Sequence, residues 1–450
     1  MPKPPHEPPH ASAGTPSGAD ERPRRQPHPV TSPLGPAPPA GPGHRPALLR
    51  RRVGRRAVAL LAAGAAFAAL VSGCATPIAE GNARGGNTYT IGVLAPETGA
   101  RAEDGEIVRA GVELAIADVR RSGILGKDDL RAAYADHQAM PAVAVSAFNQ
   151  MVSLRGPLAV VCTFSGPTLA ITPIATRQHV TLLNPGGVTI DLDQASPYLI
   201  NLLPLIDTQA KLTLRYAKER RLGKRVALLY SNDALGQETN GVFAQLVQQA
   251  GLDYVGSVAF DPASPDFRAA LSKVQSFKPD MVYETGSASQ SGNIIKQAAD
   301  MGFTPRWMGY SALAHKETVT IGGKAAEGAL FTIPAITDPK TGEYYPEYRA
   351  YQAAMRKTGH DESDYLTQTS YESVRLVAAA IARTKKLGEP VTRDSVSRHL
   401  KDLKGFRSLF GPAEITAEGK VEQAQTVQQV EHGKFVVKRT YTSDDLAELE

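Results

Sequence analysis

Cysteine is almost missing from this chain, which holds only Cys74 and Cys162 in 450 residues. Two cysteines exclude a disulfide-stapled scaffold, and no Cys pair or close His/Asp/Glu set has metal-ligand spacing. Trp307 is the single tryptophan. The most sustained apolar run, Ala57 to Val71, is about 15 residues, too short for a comfortable transmembrane helix. The enzyme motifs G-x-x-x-x-G-K-[ST], G-x-G-x-x-G, G-x-S-x-G and H-E-x-x-H are all lacking. Cys162 ends an apolar stretch, where a lone thiol is ordinarily a small core residue, and nothing in its spacing supports a nucleophile paired with His179. The chain therefore reads as a non-enzyme that needs no cofactor and no metal.

Positive charge is also scarce where a nucleic-acid binder would need it. The formal net charge is +5, but residues 1–56 carry ten Lys/Arg against three acidic residues. From Ala75 onward 40 basic residues face 42 acidic ones. The basic character belongs to the leader, and no nucleic acid is an implied partner.

Residues 1–49, dense in Pro, His, Gly and Ser, cannot form a packed core and read as a disordered extension. A loose metal site at His6, His10, His28 and His44 is the weaker reading. Arg50 to Arg56 is a charged n-region before the Ala57–Val71 core, and Val71-Ser72-Gly73-Cys74 resembles a bacterial lipobox. Residues 50–74 are thus expected to be a lipoprotein signal peptide with lipidation at Cys74. A single-pass anchor with an incidental cysteine is the alternative. Export by the general or the twin-arginine route, and a start downstream of Met1, stay open. Residues 75–87 read as a flexible tether.

From Tyr89 the chain alternates strand and helix. Tyr89–Leu94 reads as a strand, and Val108, Val112, Ala115 and Val119 form one helical stripe ended by Ser122-Gly123. Leu130–Ala135 is a strand and Pro141–Leu154 a helix. Around the centre, Leu158–Val161 and Val180–Leu183 are buried strands joined by a helix, each opening into a small, polar or glycine-rich loop: Thr163 to Pro167, then Asn184 to Gly187. Ligands of open α/β sheets sit outside such strand ends, and a helix start suits a carboxylate. Ordinary βα turns look the same. A second alternating run covers Arg225 to Gly309. Later come helices over Tyr344–Thr358, Ser370–Leu387 and Arg393–Leu403, and a closing β-hairpin region from Ala413 to Val437. The pattern predicts two doubly wound α/β lobes with the chain crossing between them.

Several stretches carry a family resemblance: Ile91 to Gly99 to the opening "IGv..P.TG", Ala110 to Ala115 to the first helix, Asp233-Ala234-Leu235-Gly236 to a "D..yG" turn, with Met308-Gly309, Ala326 to Gly328 and Gly411-Pro412. The chain resembles the branched-chain amino-acid-binding family of ABC-transporter solute-binding lipoproteins, which have the type I periplasmic-binding-protein fold. The resemblance implies lobe 1 at 88–206 plus 336–410 and lobe 2 at 207–335 plus 411–441, joined by three hinge crossovers. It implies a monomer on the outer face of the plasma membrane, a small-molecule ligand and permease subunits as partners. It places a ligand carboxylate at Ser165 and the Gly186, Gly187 and Val188 loop.

Departures from the family pattern bear on the ligand. Val188 stands where amino-acid binders carry Ser or Thr, and Thr189 follows one position later. The acidic partner of an α-ammonium group falls on Ser311, beside Tyr310. Aromatic lid positions fall on Asp104, Leu235 and Ser287. Glu284 or Asp104 is the substitute acidic partner to consider. A buried ammonium without a carboxylate is poorly compensated, so the expected ligand is a small polar metabolite other than leucine, isoleucine or valine. A ligand-sensing lipoprotein that signals to a partner is the competing role.

Overall fold

The computed structural model describes residues 80–448 apart from 84, 100, 361, 362 and 404. The expected leader, signal peptide and lipidated Cys74 lie outside the described residues.

Short runs buried on both faces can only be strands inside a covered parallel sheet, and they set the architecture. The first sheet holds β1 (Glu80–Gly81), β2 (Asn87–Ala95), β3 (Asp129–Asp136), β4 (Ala159–Cys162), β5 (Thr181–Asn184) and β6 (Leu199–Asn201). Its order is β3-β2-β4-β5-β6, all parallel, with β1 antiparallel beside the start of β2. The connecting helices are α1 (Ala102–Ser122), α2 (Pro141–Arg155) and α3 (Ser165–Arg177). Val108, Val112, Ala115 and Val119 are buried as their spacing predicts, and left-handed Gly123 ends α1.

After α4 (Ile206–Glu219) a second sheet forms from β7 (Arg225–Ser231), β8 (Asp253–Phe260), β9 (Met281–Glu284), β10 (Arg306–Gly309) and β11 (Leu330–Pro334). The helices α5 (Ala234–Gln249), α6 (Arg268–Ser276), α7 (Ala288–Asp300) and α8 (Lys316–Gly322) alternate with these strands. The chain then returns to the first sheet with α9 (Pro346–Arg356), α10 (Tyr365–Lys386) and α11 (Arg393–Leu400), α10 lying along α1. The hairpin β12 (Ala413–Ile415) and β13 (Val421–Gln423) touches β6 through a bridge between Asn201 and Lys420. Finally β14 (Gln425–Glu431) and β15 (Lys434–Tyr441) extend the second sheet antiparallel to β11, and α12 (Ser443–Ala447) follows. The second sheet runs β15-β14-β11-β10-β9-β7-β8. The chain crosses between sheets after β6, after β11 and after β13, later than the Phe410–Ala413 region: two doubly wound halves and three crossovers.

Two differences from the sequence reading matter for the site. α10 begins at Tyr365, five residues before the expected Ser370, because Asp364 caps it by accepting from Leu366 N at 2.8 Å. β11, which the sequence reading left unassigned, is a fully buried strand that carries the chain back toward the first sheet.

Candidate functional site

In each sheet one strand has neighbours reached by helices on opposite faces, and the crevice opens at that switch point. In the first sheet it lies between β2 and β4, in the second between β7 and β9. The segments past these strand ends carry four of the nine residues expected to bind ligand, Asp104, Ser165, Leu235 and Ser287; Gly186, Gly187 and Val188 follow β5, and Tyr310 and Ser311 follow β10.

On the first sheet the loop after β4 turns sharply at Phe164, whose φ of 68° is left-handed for a bulky side chain. Such a conformation costs about 1–3 kcal/mol and is held only by its surroundings. It places the Phe164 ring under Arg101, whose guanidinium carbon is 4.6 Å from the ring centroid. Ser165 is the first residue of α3, and its Oγ accepts from Val188 N at 3.1 Å and Thr189 N at 3.3 Å. Buried Asn184 folds the next loop: its Oδ1 accepts from Gly187 N at 2.6 Å and Gly186 N at 3.3 Å. The backbone donors of Gly186, Gly187 and Val188, which the sequence reading offers to a ligand carboxylate, are engaged within the protein, as is that of Thr189. Thr189 points its hydroxyl across the cleft to Glu238 on α5, and the same carboxylate accepts from Ile190 N and Asp191 N, both at 2.9 Å.

On the second sheet Asp233 caps α5 and Ser287 caps α7, where the Gln290 side chain closes a capping box. Leu235 is half-buried on α5. Ser311 is fully buried; its backbone N–H donates to Gln209 Oε1 at 2.7 Å, while its Oγ completes no hydrogen bond. Tyr310 is half-buried. Glu284 is fully buried at the end of β9, accepting from Gly286 N at 2.6 Å and Ser291 Oγ at 2.7 Å. Burial pushes its carboxyl up to about 7, against those two hydrogen bonds.

The structure adds residues that the sequence reading did not single out. Arg101 Nε meets Asp104 Oδ2 at 2.5 Å, so Asp104 is the partner of an arginine. His315 Nδ1 and Asp364 Oδ2 are 2.6 Å apart, both about 5% exposed, one from each half. Burial works against the charged imidazole, but Asp364 outweighs it and holds the pKa of His315 above its ordinary value. Tyr365 packs edge-on to His315, with ring centroids 4.8 Å apart. Arg101, Asp104, Asp364 and Thr367 from the first half, with Ala288 and His315 from the second, line a cavity of about 260 Å³.

These buried groups set a pH dependence. Folded Glu284 holds its proton up to about 7 against an ordinary 4.5, so the folded state binds more protons across that window. Its contribution to stability is full below about 4.5 and falls as pH rises to about 7. His315, raised as well, contributes below its ordinary value and loses that contribution as pH climbs through its folded value. From about pH 5 to about pH 8 the melting temperature is expected to fall less in Glu284→Gln than in the unmodified chain, by about 2–4 °C in thermal denaturation. Identical profiles would contradict the assignment.

Cys162 is fully buried and its thiol is pushed up to about 12, while exposed His179 pairs with Asp394 at 2.9 Å. These two do not form a catalytic pair. Among the described residues no group of His, Cys, Asp and Glu is arranged to hold a metal ion.

A family model described as periplasmic binding protein matches residues 88–434. The Leu/Ile/Val-binding protein BraC3 of Rhizobium johnstonii is 26% identical over 352 residues, covering 77% of this chain and 93% of its own. The substrate binding protein LivJ of a branched-chain amino acid transporter from Streptococcus pneumoniae, solved with isoleucine, matches with a TM-score of 0.70 at 23% identity. That match covers 79% of this chain and 99% of LivJ. A solute binding protein of an ABC transporter from Rhodopseudomonas palustris, solved with 3,4-dihydroxy benzoic acid, gives 0.68 at 21%, covering 79% and 98%. The two solved proteins share the fold with this chain.

Proposed function

The chain belongs to the periplasmic binding protein family, whose members are extracytoplasmic substrate-binding proteins of transporters and not enzymes, and from that premise we propose that it is the solute-binding lipoprotein of an ABC importer. It binds a small polar metabolite, an amino acid or related compound, between its lobes and delivers it to a membrane permease. The lobes are 88–206 plus 336–410 and 207–335 plus 411–441, and diacylated Cys74 tethers a monomer to the outer face of the membrane.

One observation supports this reading: a cavity of about 260 Å³ is lined from both halves, by Arg101, Asp104, Asp364 and Thr367 of the first and by Ala288 and His315 of the second. Of the nine expected residues Asp104 lines this cavity beside Arg101, and the other eight, Ser165, Gly186, Gly187, Val188, Leu235, Ser287, Tyr310 and Ser311, are proposed to meet the solute as the halves close. Hinge closure over the crossovers buries the solute and changes the surface offered to the permease. The relatives' names speak for leucine, isoleucine and valine. Ser311 in place of a carboxylate supports a different solute.

A thermal-shift screen with amino acids, amides, small organic acids and sugars tests the reading. A ligand at about 100 times its dissociation constant adds about 2.7 kcal/mol to stability. Trp307, two residues before the end of β10, is placed to report the same hit by fluorescence. A saturable hit that is not consumed is the expected result. Turnover of a compound, or silence from every class, would contradict it.

A further inference from the structure

The base of the first sheet, at the strand ends away from the cleft, carries a surface that the fold itself does not require. Residues 122–128, 154–158 and 177–180 precede β3, β4 and β5, and parallel pairing brings them to one edge. Helix α10 ends on the same edge. Lys385 Nζ reaches Leu125 O and Asp128, and Arg393 beyond it donates to Pro157 O at 3.0 Å and to Gln178 O at 3.4 Å. β1 lies here too, paired with the first residues of β2, and Asn82 Nδ2 donates to Lys127 O at 2.9 Å.

Three of the five large hydrophobic side chains exposed among the described residues stand at this base: Ile124 at 47%, Leu154 at 70% and Leu387 at 55%. Lys127, Arg155, Arg177 and Lys386 are exposed on the same segments, and their side chains make no ion pair or hydrogen bond with the described residues. Ile124 and Lys386 line one surface groove. The carboxylates of these segments are taken: Asp128 by Lys385, Asp129 by Arg120, Glu389 by Arg398 and His399, and Asp394 by His179. A helix C-terminus accounts for a cation, but it gives no reason to expose a leucine beside it. Apolar side chains among uncompensated cations fit a bilayer surface, where anionic headgroups overlie an apolar layer.

The tether sets the distance. Glu80, where β1 starts, comes six residues after Cys74, a reach of about 20 Å when extended. Resting on the reading of Cys74 as the lipidated residue, we propose that the base of the first half is a membrane-contact surface that sits on anionic phospholipid. Lys127, Arg155, Arg177 and Lys386 meet the headgroups, and Ile124, Leu154 and Leu387 enter the interface. The cleft, at the other ends of the same strands, then faces the medium.

A site-specific dye tests this on the full chain with Cys74→Ser, which removes the lipidation site and leaves only buried Cys162 as a thiol. One cysteine is introduced at the base by Leu387→Cys, or on α6 of the second half by Lys273→Cys, and labelled with an environment-sensitive fluorophore. Phosphatidylglycerol vesicles carrying a lipid-bound quencher are expected to quench the dye at 387 at least about fivefold more than the dye at 273. Phosphatidylcholine vesicles should leave both dyes unquenched, and added salt should reverse the quenching at 387. Each Lys or Arg beside an anionic surface is worth about fivefold in binding. Lys127→Glu, Arg155→Glu, Arg177→Glu and Lys386→Glu combined should therefore abolish the signal at 387. The basic residues 1–56 accompany every variant, so vesicle binding through them alone quenches both dyes alike.

Equal quenching at the two positions overturns the proposal, as does silence at 387 on phosphatidylglycerol. Quenching at 387 that survives both salt and the four substitutions also overturns it. Each of these results leaves the solute-binding reading standing, because the thermal-shift screen tests that reading without a membrane.

Discussion

Glu238→Ala is expected to weaken solute binding by about 100-fold while leaving the fold intact. The Glu238 carboxylate is the half-buried clasp between the halves, receiving the Thr189 hydroxyl and the N–H groups of Ile190 and Asp191. A hydrogen bond to a charged group is worth about 1.5–3 kcal/mol, and water recovers part of it at exposed Asp191. A net loss of about 2.7 kcal/mol from the closed form corresponds to the stated factor. In an open form those donors face water, so the penalty falls on closure, and affinity drops because the closed conformer is less populated. Calorimetry with the best solute, alongside the melting temperature of the unliganded variant, separates the two effects. Unchanged affinity would show that this contact does not contribute to closure.

Gly419→Ala should cost about 3 kcal/mol of stability. Gly419 has a φ of +90°, and a Cβ there would lie 1.8 Å from the carbonyl oxygen of Leu199. Left-handed strain alone is about 1–3 kcal/mol for a residue with a side chain. The clash adds to it, because relieving it pulls the β12–β13 hairpin off β6 and breaks the bond from Asn201 N to Gly419 O at 3.1 Å. Gly433 supplies the control. Its φ is +70°, but a Cβ would find nothing closer than 3.8 Å, so Gly433→Ala carries strain without collision and should cost about 1 kcal/mol. Chemical denaturation of both variants measures the difference. Equal losses would mean that the hairpin shifts freely and that its docking contributes little.

The strand–helix alternation was legible because the two periodicities separate cleanly. β4 is four apolar residues buried on both faces, and α1 shows one stripe at helical spacing. α10 was less legible at its start. Its first turns, Thr367 to Ser370, are polar yet buried, so no apolar stripe marks them, and Asp364 as a cap was the available signal. That late start hid Tyr365 and Asp364, which the fold places against His315 and Ser311.

The site was legible as loops rather than as chemistry. The Ser165 loop could be located from a strand end, and Ser311 and Tyr310 only through the family resemblance, but which donors stay open depends on pairings between distant segments. The N–H groups of Val188 and Thr189 look free in the sequence, and only the fold shows that Ser165 takes them. Glu238 reads as a charge on a solvated helix face until α5 meets the loop after β5. Arg101 carried a weak signal, as a cation just past a strand end at the start of a helix.

The central claim is that one small solute is held between the two sheets and released unchanged. Titration calorimetry with the strongest ligand of the screen, followed by recovery of that ligand, tests it most directly. The account predicts one solute per chain and a ligand chemically intact after prolonged incubation. Binding that never saturates, or a ligand that is consumed, would contradict it.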